Sequence, residues 1–334
     1  MFELCKFIIS KTENENPKDQ DGISAFHLAA KKGHLEICNY MMEKFEDKNP
    51  VDQNGRAPFH YGAQFGQLDV CKYFVASLED MNPVDQNGDT PFHYAAKFGH
   101  LNVCKFFIEI LEDKNPGNSD GDTPFHLATE MGNLEIIKLM MEYLDDRNPR
   151  NQNGDTPFHY AAKSGKLNVC KFFIEIIEDK NPVNLNGNTP LHLAAKKGLL
   201  LLYPKICHLL IKNGADKNIQ NQSGRTPHQM LCANLISLVI VNLIPKIVIL
   251  VVMIPMGIFF SSIGAMDLFP WIVVSIFLFL IFLKDFFFFL YTFFNSFDCK
   301  VVFLMLTFVI CDIVLGVYSS ILTARSFPFT PIPI

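Results

Sequence analysis

The stretch NGDTPFHYAAKFGHLNVCKFFIEILEDKNP, residues 87–116, recurs in close copies before and after itself along this chain of 334 residues. Six histidines occupy the same place in the copies, each 33 residues from the next: His27, His60, His93, His126, His159 and His192. Cysteines keep the same register in the second half of the unit, with Ile137 in the one remaining place: Cys5, Cys38, Cys71, Cys104 and Cys170. A fixed period of this length is typical of proteins built from stacked structural repeats.

Local rules of chain geometry predict how one copy folds. The Asn-Gly pair at 87–88 favours a turn, because glycine takes positive φ without strain. Thr90 suits a helix N-cap and Pro91 suits the first helical position, so a helix should begin there and end near Gly99. A second helix over 101–112 is apolar on more than one side, so it needs neighbours before and after it.

The core T-P-F-H-Y-A-A and its period resemble the ankyrin repeat, whose signature is T-P-L-H-x-A. The resemblance covers the first two thirds of the chain and implies an all-α solenoid of helix-turn-helix units joined by hairpin loops. We expect a partial repeat in 1–15 and an ankyrin-repeat domain in 16–228, with six full repeats and the start of a seventh. The partial repeat is either an improvised cap or the open end of a fragment, and its apolar character favours the fragment.

Charge divides the chain into two unlike parts. Residues 1–228 carry 55 of the 63 charged side chains, and residues 229–334 carry only 8. The net charge of −5 lies wholly in the first part. A charge this mildly acidic gives no support to a nucleic-acid partner.

The second part is almost continuously apolar, which predicts about three transmembrane helices within 246–323. The ranges that we assign after the repeats are a linker or interfacial helix at 229–245, spans at 246–266, 268–290 and 301–322, and a tail at 324–334. No signal peptide precedes the repeats, so we expect an integral membrane protein with a cytosolic ankyrin domain and a lipid bilayer as one partner.

Two charges fall inside the predicted spans. Asp312 lies near mid-bilayer, where an ionisable group is a functional candidate unless it is a protonated acid facing a neighbouring helix. Lys284 is a candidate partner, although its position nearer the cytosolic face favours snorkelling.

The sequence carries no catalytic or cofactor signature. It has no P-loop, G-x-S-x-G, H-E-x-x-H or C-x-x-C segment. Histidines one repeat apart are poorly placed to share a metal ion, so we interpret them as structural, each bonding within its own turn. Cysteines one repeat apart are too distant for disulfides, so we interpret them as small buried thiols. We therefore expect no enzyme activity, no cofactor and no metal.

The ankyrin resemblance does indicate a binding surface. In such repeats, the residues between the Ala-Ala pair and the glycine end the first helix and point to the concave face. The second of these residues reads, from repeat to repeat, Lys32, Phe65, Phe98, Met131, Ser164 and Lys197.

Phe65, Phe98 and Met131 form an apolar row across three neighbouring repeats, which we call the ladder. Aligned exposed apolar groups indicate an interaction site, although the same side chains would be silent if they folded over the next helix. We expect the ladder to receive a protein partner, together with its flanking lysines and the hairpin-tip residues at its edge: Lys32, Lys197, Arg56, Asp89, Asp122 and Asp155.

The sequence thus predicts a membrane-anchored adaptor or scaffold that binds other proteins. Two alternatives share its layout if the chain is a fragment. Ankyrin-bearing palmitoyltransferases have a Cys-rich D-H-H-C segment, which is absent here, and ankyrin-bearing cation channels of the transient receptor potential type need six spans and a pore loop.

Overall fold

Helices dominate the computed structural model, which describes residues 2–9, 11, 16–197 and 203–231. The helices named in this part of the chain are α1 Phe2–Ile9, α2 Ala25–Lys32, α3 Leu35–Lys44, α4 Pro58–Gln64, α5 Leu68–Ser77, α6 Pro91–Phe98, α7 Leu101–Ile110, α8 Pro124–Met131, α9 Leu134–Tyr143, α10 Pro157–Lys163, α11 Leu167–Ile176, α12 Pro190–Lys196 and α13 Tyr203–Lys212. A further helical turn covers 227–231. Apart from an isolated bridge between Lys18 and Ser24, the described residues contain no strand.

The first helix of a repeat begins and ends where its sequence predicts. In α6 the N-cap Thr90 is extended, and its hydroxyl accepts a bond from the His93 N–H at 3.4 Å. Gly99 ends the helix in the left-handed region, with φ of 85°, and its N–H donates to the Ala95 carbonyl. The N-cap threonine and the terminal glycine therefore set these boundaries locally.

The second helix is shorter than predicted. It ends at Ile110, two residues before the expected end at Glu112, because Leu111 takes an extended backbone conformation. The Leu111 N–H still donates to the Phe107 carbonyl, and the chain then turns where the Asn115 N–H donates to the Asp113 carboxylate at 2.9 Å. The acidic side chain therefore favours a turn over another helical step.

A hairpin loop joins each repeat to the next, as expected. In the loop at Asn87-Gly88, the Asp85 N–H donates to the Asp89 carbonyl at 3.0 Å, and the Gln86 N–H reaches back to the Asn54 carbonyl of the preceding loop at 3.0 Å. Gly88 has φ of 76°, and a Cβ there would lie 2.7 Å from the Ser119 nitrogen of the following loop. Glycine is therefore required both for backbone conformation and for the close approach of neighbouring loops.

The core is a column of phenylalanines that passes from repeat to repeat. Phe59 of α4 lies 5.4 Å from Phe74 of α5 and 5.8 Å from Phe107 of α7, measured between ring centroids, and Phe92 of α6 lies 5.4 Å from Phe107. All four side chains are fully buried. A phenylalanine of a first helix thus packs between the second helices of its own repeat and of the next, at separations usual for aromatic pairs.

The repeated thiols whose side chains the structure describes are buried and unbridged. Cys38, Cys71, Cys104, Cys170 and Cys207 are free and inaccessible to solvent. Burial raises the pKa of the Cys38 thiol to about 12, so this group stays protonated at neutral pH.

The partial repeat at the start of the chain forms a helix, as expected. The Phe2 ring of α1 meets Tyr40 of α3 edge-on, with centroids 6.3 Å apart. Leu4 and Phe7, on the same helix, are both 61% exposed. This helix therefore packs on α3 as one second helix packs on the next.

No helix among the described residues has both the length and the apolar character that a bilayer crossing needs. The three predicted spans and the tail lie outside those residues. The described residues belong to two units, Met1–Lys197 with Leu209–Pro227, and Gly198–His208 with His228–Ile334. The site described below lies wholly in the first unit.

Candidate functional site

The ladder is exposed on three first helices that lie side by side. Phe65 follows the last residue of α4, while Phe98 and Met131 are the last residues of α6 and α8. Their exposed fractions are 41%, 47% and 46%. Because α4 packs on α6 and α6 packs on α8, the three apolar side chains stand at equivalent places on neighbouring elements.

Local contacts orient the two ladder phenylalanines. The Phe98 ring stacks parallel to Tyr94, with centroids 6.5 Å apart and an interplanar angle of 1°. The Lys31 Nζ lies 4.7 Å from the Phe65 ring centroid, within range of a cation–π interaction. Both rings remain more than two fifths exposed, so these contacts hold the rings without covering them.

The flanking lysines lie at the ends of first helices. Lys32 is the last residue of α2, Lys197 follows α12, and both are exposed. Lys31 and Lys196 precede them on the same helices and had not been singled out from the sequence.

The hairpin-tip carboxylates lie at the junctions between repeats. The amide of Asn118 donates to the Asp89 carboxylate at 2.7 Å. Equivalent bonds of 2.7 Å link Asn151 to Asp122 and Asn184 to Asp155. Asp155 is only 9% exposed. Asp89 and Asp122 are half-buried, and an asparagine of the following repeat lies opposite all three carboxylates. Their role in partner binding stays a prediction.

Arg56 occupies the place of Asp89 one repeat earlier, and its side chain forms hydrogen bonds within its own repeat. Its Nε donates to the Asp52 carboxylate at 2.8 Å and its terminal nitrogen donates to the Tyr61 hydroxyl at 2.9 Å. Burial by itself would raise the pKa of Asp52, but hydrogen bonds from the Arg56 N–H, the Tyr61 hydroxyl and the Arg56 guanidinium hold it below its ordinary value. Arg56 thus stabilises a buried carboxylate.

Each repeated histidine uses one ring nitrogen within its own repeat and the other across the junction to the next repeat. In His93, Nδ1 accepts from the Thr90 backbone N–H at 3.1 Å, and Nε2 lies 2.9 Å from the Asp122 carbonyl of the next repeat. A backbone N–H can only donate, so the ring proton must sit on Nε2. The structure therefore shows the predicted bond within the turn and adds a second bond across the repeat junction.

A tyrosine–aspartate contact was not recognised from the sequence. The Tyr61 hydroxyl donates to Asp52 at 2.9 Å and the Tyr94 hydroxyl donates to Asp85 at 2.8 Å. The spacing of nine residues in both pairs was a usable signal. In the fifth full repeat Asn151 replaces the aspartate. Its amide donates to the Tyr160 hydroxyl at 3.3 Å, and that hydroxyl donates to Asp122, 38 residues away.

Comparison with known families bears directly on the repeats. A family model described as Ankyrin repeats (3 copies) matches residues 1–84, 63–149 and 142–221. Together these matches cover residues 1–221 of the 334. The chain belongs to the ankyrin-repeat family. No curated protein matched it.

Membership in the ankyrin-repeat family indicates a protein–protein interaction module. The matched residues end at 221, so the transferase and channel alternatives stay predictions. Asp312 and Lys284 lie outside the described residues, and their roles also stay predictions.

Proposed function

We propose that this protein is a membrane-anchored adaptor whose ankyrin repeats bind a protein partner through the ladder, and that it acts by binding and not by catalysis. The observation that carries the proposal is the alignment of Phe65, Phe98 and Met131, exposed at equivalent places on three adjacent repeats. Isolated exposed apolar residues are common, but an aligned set offers one continuous surface to a partner.

The energetic reason to expect binding is the free energy of burying these side chains. Covering a side chain of this size contributes about 1.5–3 kcal/mol relative to leaving it in water. The first helices on which the ladder stands are fixed by packing on one another, so little conformational entropy is lost when a partner docks.

The membrane anchor is supported by the sequence alone. Only 8 of the 106 residues in 229–334 are charged, and three of its segments reach the length of a bilayer span. A cytosolic position of the repeats is part of the same proposal.

The binding proposal is tested by removing the ladder without disturbing the core. We expect the double variant Phe65→Ser with Phe98→Ser to lose partner capture by about tenfold or more, because the two anchors no longer bury apolar surface. Capture is measured by cross-linking in cells followed by mass spectrometry, and helix content is compared by circular dichroism.

Val84→Ser with Tyr143→Ser is the matched control. It removes two exposed apolar side chains, 61% and 40% exposed, that lie outside the ladder. Unchanged capture in the ladder variant, with unchanged folding, would end the proposal.

A further inference from the structure

The ends of the first helices are far more basic than the rest of the repeats. Two residues per repeat stand between the Ala-Ala position and the glycine that follows the first helix, and across the six repeats these twelve positions hold six lysines and one glutamate. The charged members are Lys31, Lys32, Lys97, Glu130, Lys163, Lys196 and Lys197. The local net charge is therefore +5, whereas the chain as a whole carries −5.

The positive charge is not neutralised at several of these positions. The salt bridges Lys6–Glu3, Arg56–Asp52 and Lys138–Glu135 do not involve Lys31, Lys32, Lys97 or Lys197. The hairpin-tip carboxylates Asp89 and Asp122 accept hydrogen bonds from neutral asparagine amides, and no salt bridge between them and these four lysines is seen in the described residues. A patch of one sign beside an apolar surface favours a partner of the opposite sign.

The order of residues along the repeats defines a pattern for the partner. Lys31 and Lys32 precede the ladder by one repeat, and the lysines of the fifth and sixth full repeats follow it. A segment lying along this face would meet cations at both ends and apolar side chains in the middle.

Neighbouring helices pack about 8–10 Å apart. Residues seven apart on a helix share one face and lie about 10.5 Å apart. An amphipathic helix with apolar residues at intervals of seven would therefore meet successive ladder residues.

We propose that the partner segment seated on the ladder is an acidic amphipathic helix, with apolar side chains against Phe65, Phe98 and Met131 and carboxylates opposite the flanking lysines. The inference rests on the proposed binding function of the ladder and specifies the chemistry of its ligand. The lysines act mainly by steering the acidic segment and excluding basic ones, since each exposed ion pair contributes little affinity.

The test uses the full chain in a non-ionic detergent and a fluorescently labelled synthetic helix. This probe has leucines at intervals of seven and glutamates on both sides of them. We expect saturable binding measured by fluorescence anisotropy, and a loss of about tenfold when the glutamates are replaced by glutamines. Binding should also weaken as salt is raised, because exposed charges are screened over about 8 Å at 0.15 M ionic strength.

Charge-reversal variants of the protein test whether the acidic probe binds at the flanking lysines. Lys32→Glu with Lys197→Glu reverses two exposed charges at the ends of the face and should weaken binding of the acidic probe by about tenfold or more. Lys105→Glu with Lys171→Glu makes the same change of charge on the exposed sides of α7 and α11 and should leave binding unchanged.

The inference is overturned if the glutamine probe binds as tightly as the glutamate probe, or if the two pairs of variants behave alike. Its failure is distinguishable from failure of the proposed function. If Phe65→Ser with Phe98→Ser abolishes capture of the cellular partner while Lys32→Glu with Lys197→Glu does not, the ladder is a binding face for a segment that is not acidic.

Discussion

Each repeated histidine forms hydrogen bonds within its own repeat and to the next one, so its protonation affects the free energy of unfolding. The His93 ring accepts a backbone N–H through Nδ1 and donates through Nε2, an arrangement that only the neutral ring can make. Burial is the main cause that lowers the pKa of each of the six histidines below its ordinary value of 6.5: His27, His60, His93, His126, His159 and His192.

We predict that the repeats lose stability as the pH falls below about 6.5. The unfolded chain then binds protons that the folded chain excludes, so the stability that neutral histidines provide is complete above the unfolded pKa and is lost toward the lowered folded pKa. Each histidine contributes a slope of up to about 1.4 kcal/mol per pH unit in this range. The measurement is the free energy of unfolding of segment 1–228 between pH 7.5 and 5.5.

His93→Gln should reduce the slope of that pH dependence, since one of the six groups no longer titrates. His34→Gln, which removes an exposed histidine, is the matched control. Equal changes in slope for the two variants would contradict the prediction.

At the scale of the element, the six first helices occupy equivalent places in their repeats but differ in sequence. Helix α4 carries Gly62 where the other repeats have alanine. Glycine within a helix is unfavourable because it loses more backbone freedom on folding than alanine does. Repeats three and five show that alanine fits, since Ala95 and Ala161 are fully buried in helices equivalent to α4.

Gly62→Ala should therefore stabilise the domain by about 0.5–1 kcal/mol. The new Cβ would lie 3.3 Å from Val70 Cγ1 and 3.7 Å from Cys71 Sγ, so a shift of a few tenths of an ångström in a side chain accommodates it. Urea unfolding of segment 1–228 measures the change.

Gly88→Ala is the contrasting variant and should destabilise the domain. Its φ of 76° disfavours alanine, and its Cβ would meet the backbone of the following loop at 2.7 Å. Stabilisation by both changes, or by neither, would show that the fit of the added methyl does not control the outcome.

At the scale of the whole molecule, the repeats form their own core and their own hydrogen bonds. First helices pack on first helices, as α2 does on α4, and hairpin loops bond to the loop before them. The stability of such a solenoid is approximately a sum over repeats and their interfaces. The segment 1–228 is therefore expected to fold without the apolar remainder.

We predict that the two parts of the chain partition differently between membrane and water. The full chain should stay in the membrane pellet after extraction at pH 11, whereas segment 1–228 should remain in the supernatant with helical circular dichroism. Release of the full chain by alkali would contradict the membrane anchor and would leave the ladder proposal standing.

The repeat, its period and the starts of its first helices were readable from the sequence, because threonine caps, first-turn prolines and left-handed glycines act within a few residues of their own position. The exposure of the ladder could also be anticipated, since one register position per repeat decides it. The end of α7 at Ile110 was missed, because the choice between another helical step and an aspartate turn depends on small local differences.

Only the tertiary structure decided what the polar loop residues do. Asp89 and Asp122 were predicted at the edge of the ladder, and each also accepts a hydrogen bond from the amide of an asparagine 29 residues further along. The histidines likewise find their second partner in the next repeat. Residues that far apart along the chain meet only when the repeats stack, so local sequence rules predict the unit while stacking determines which side chains remain free for a partner.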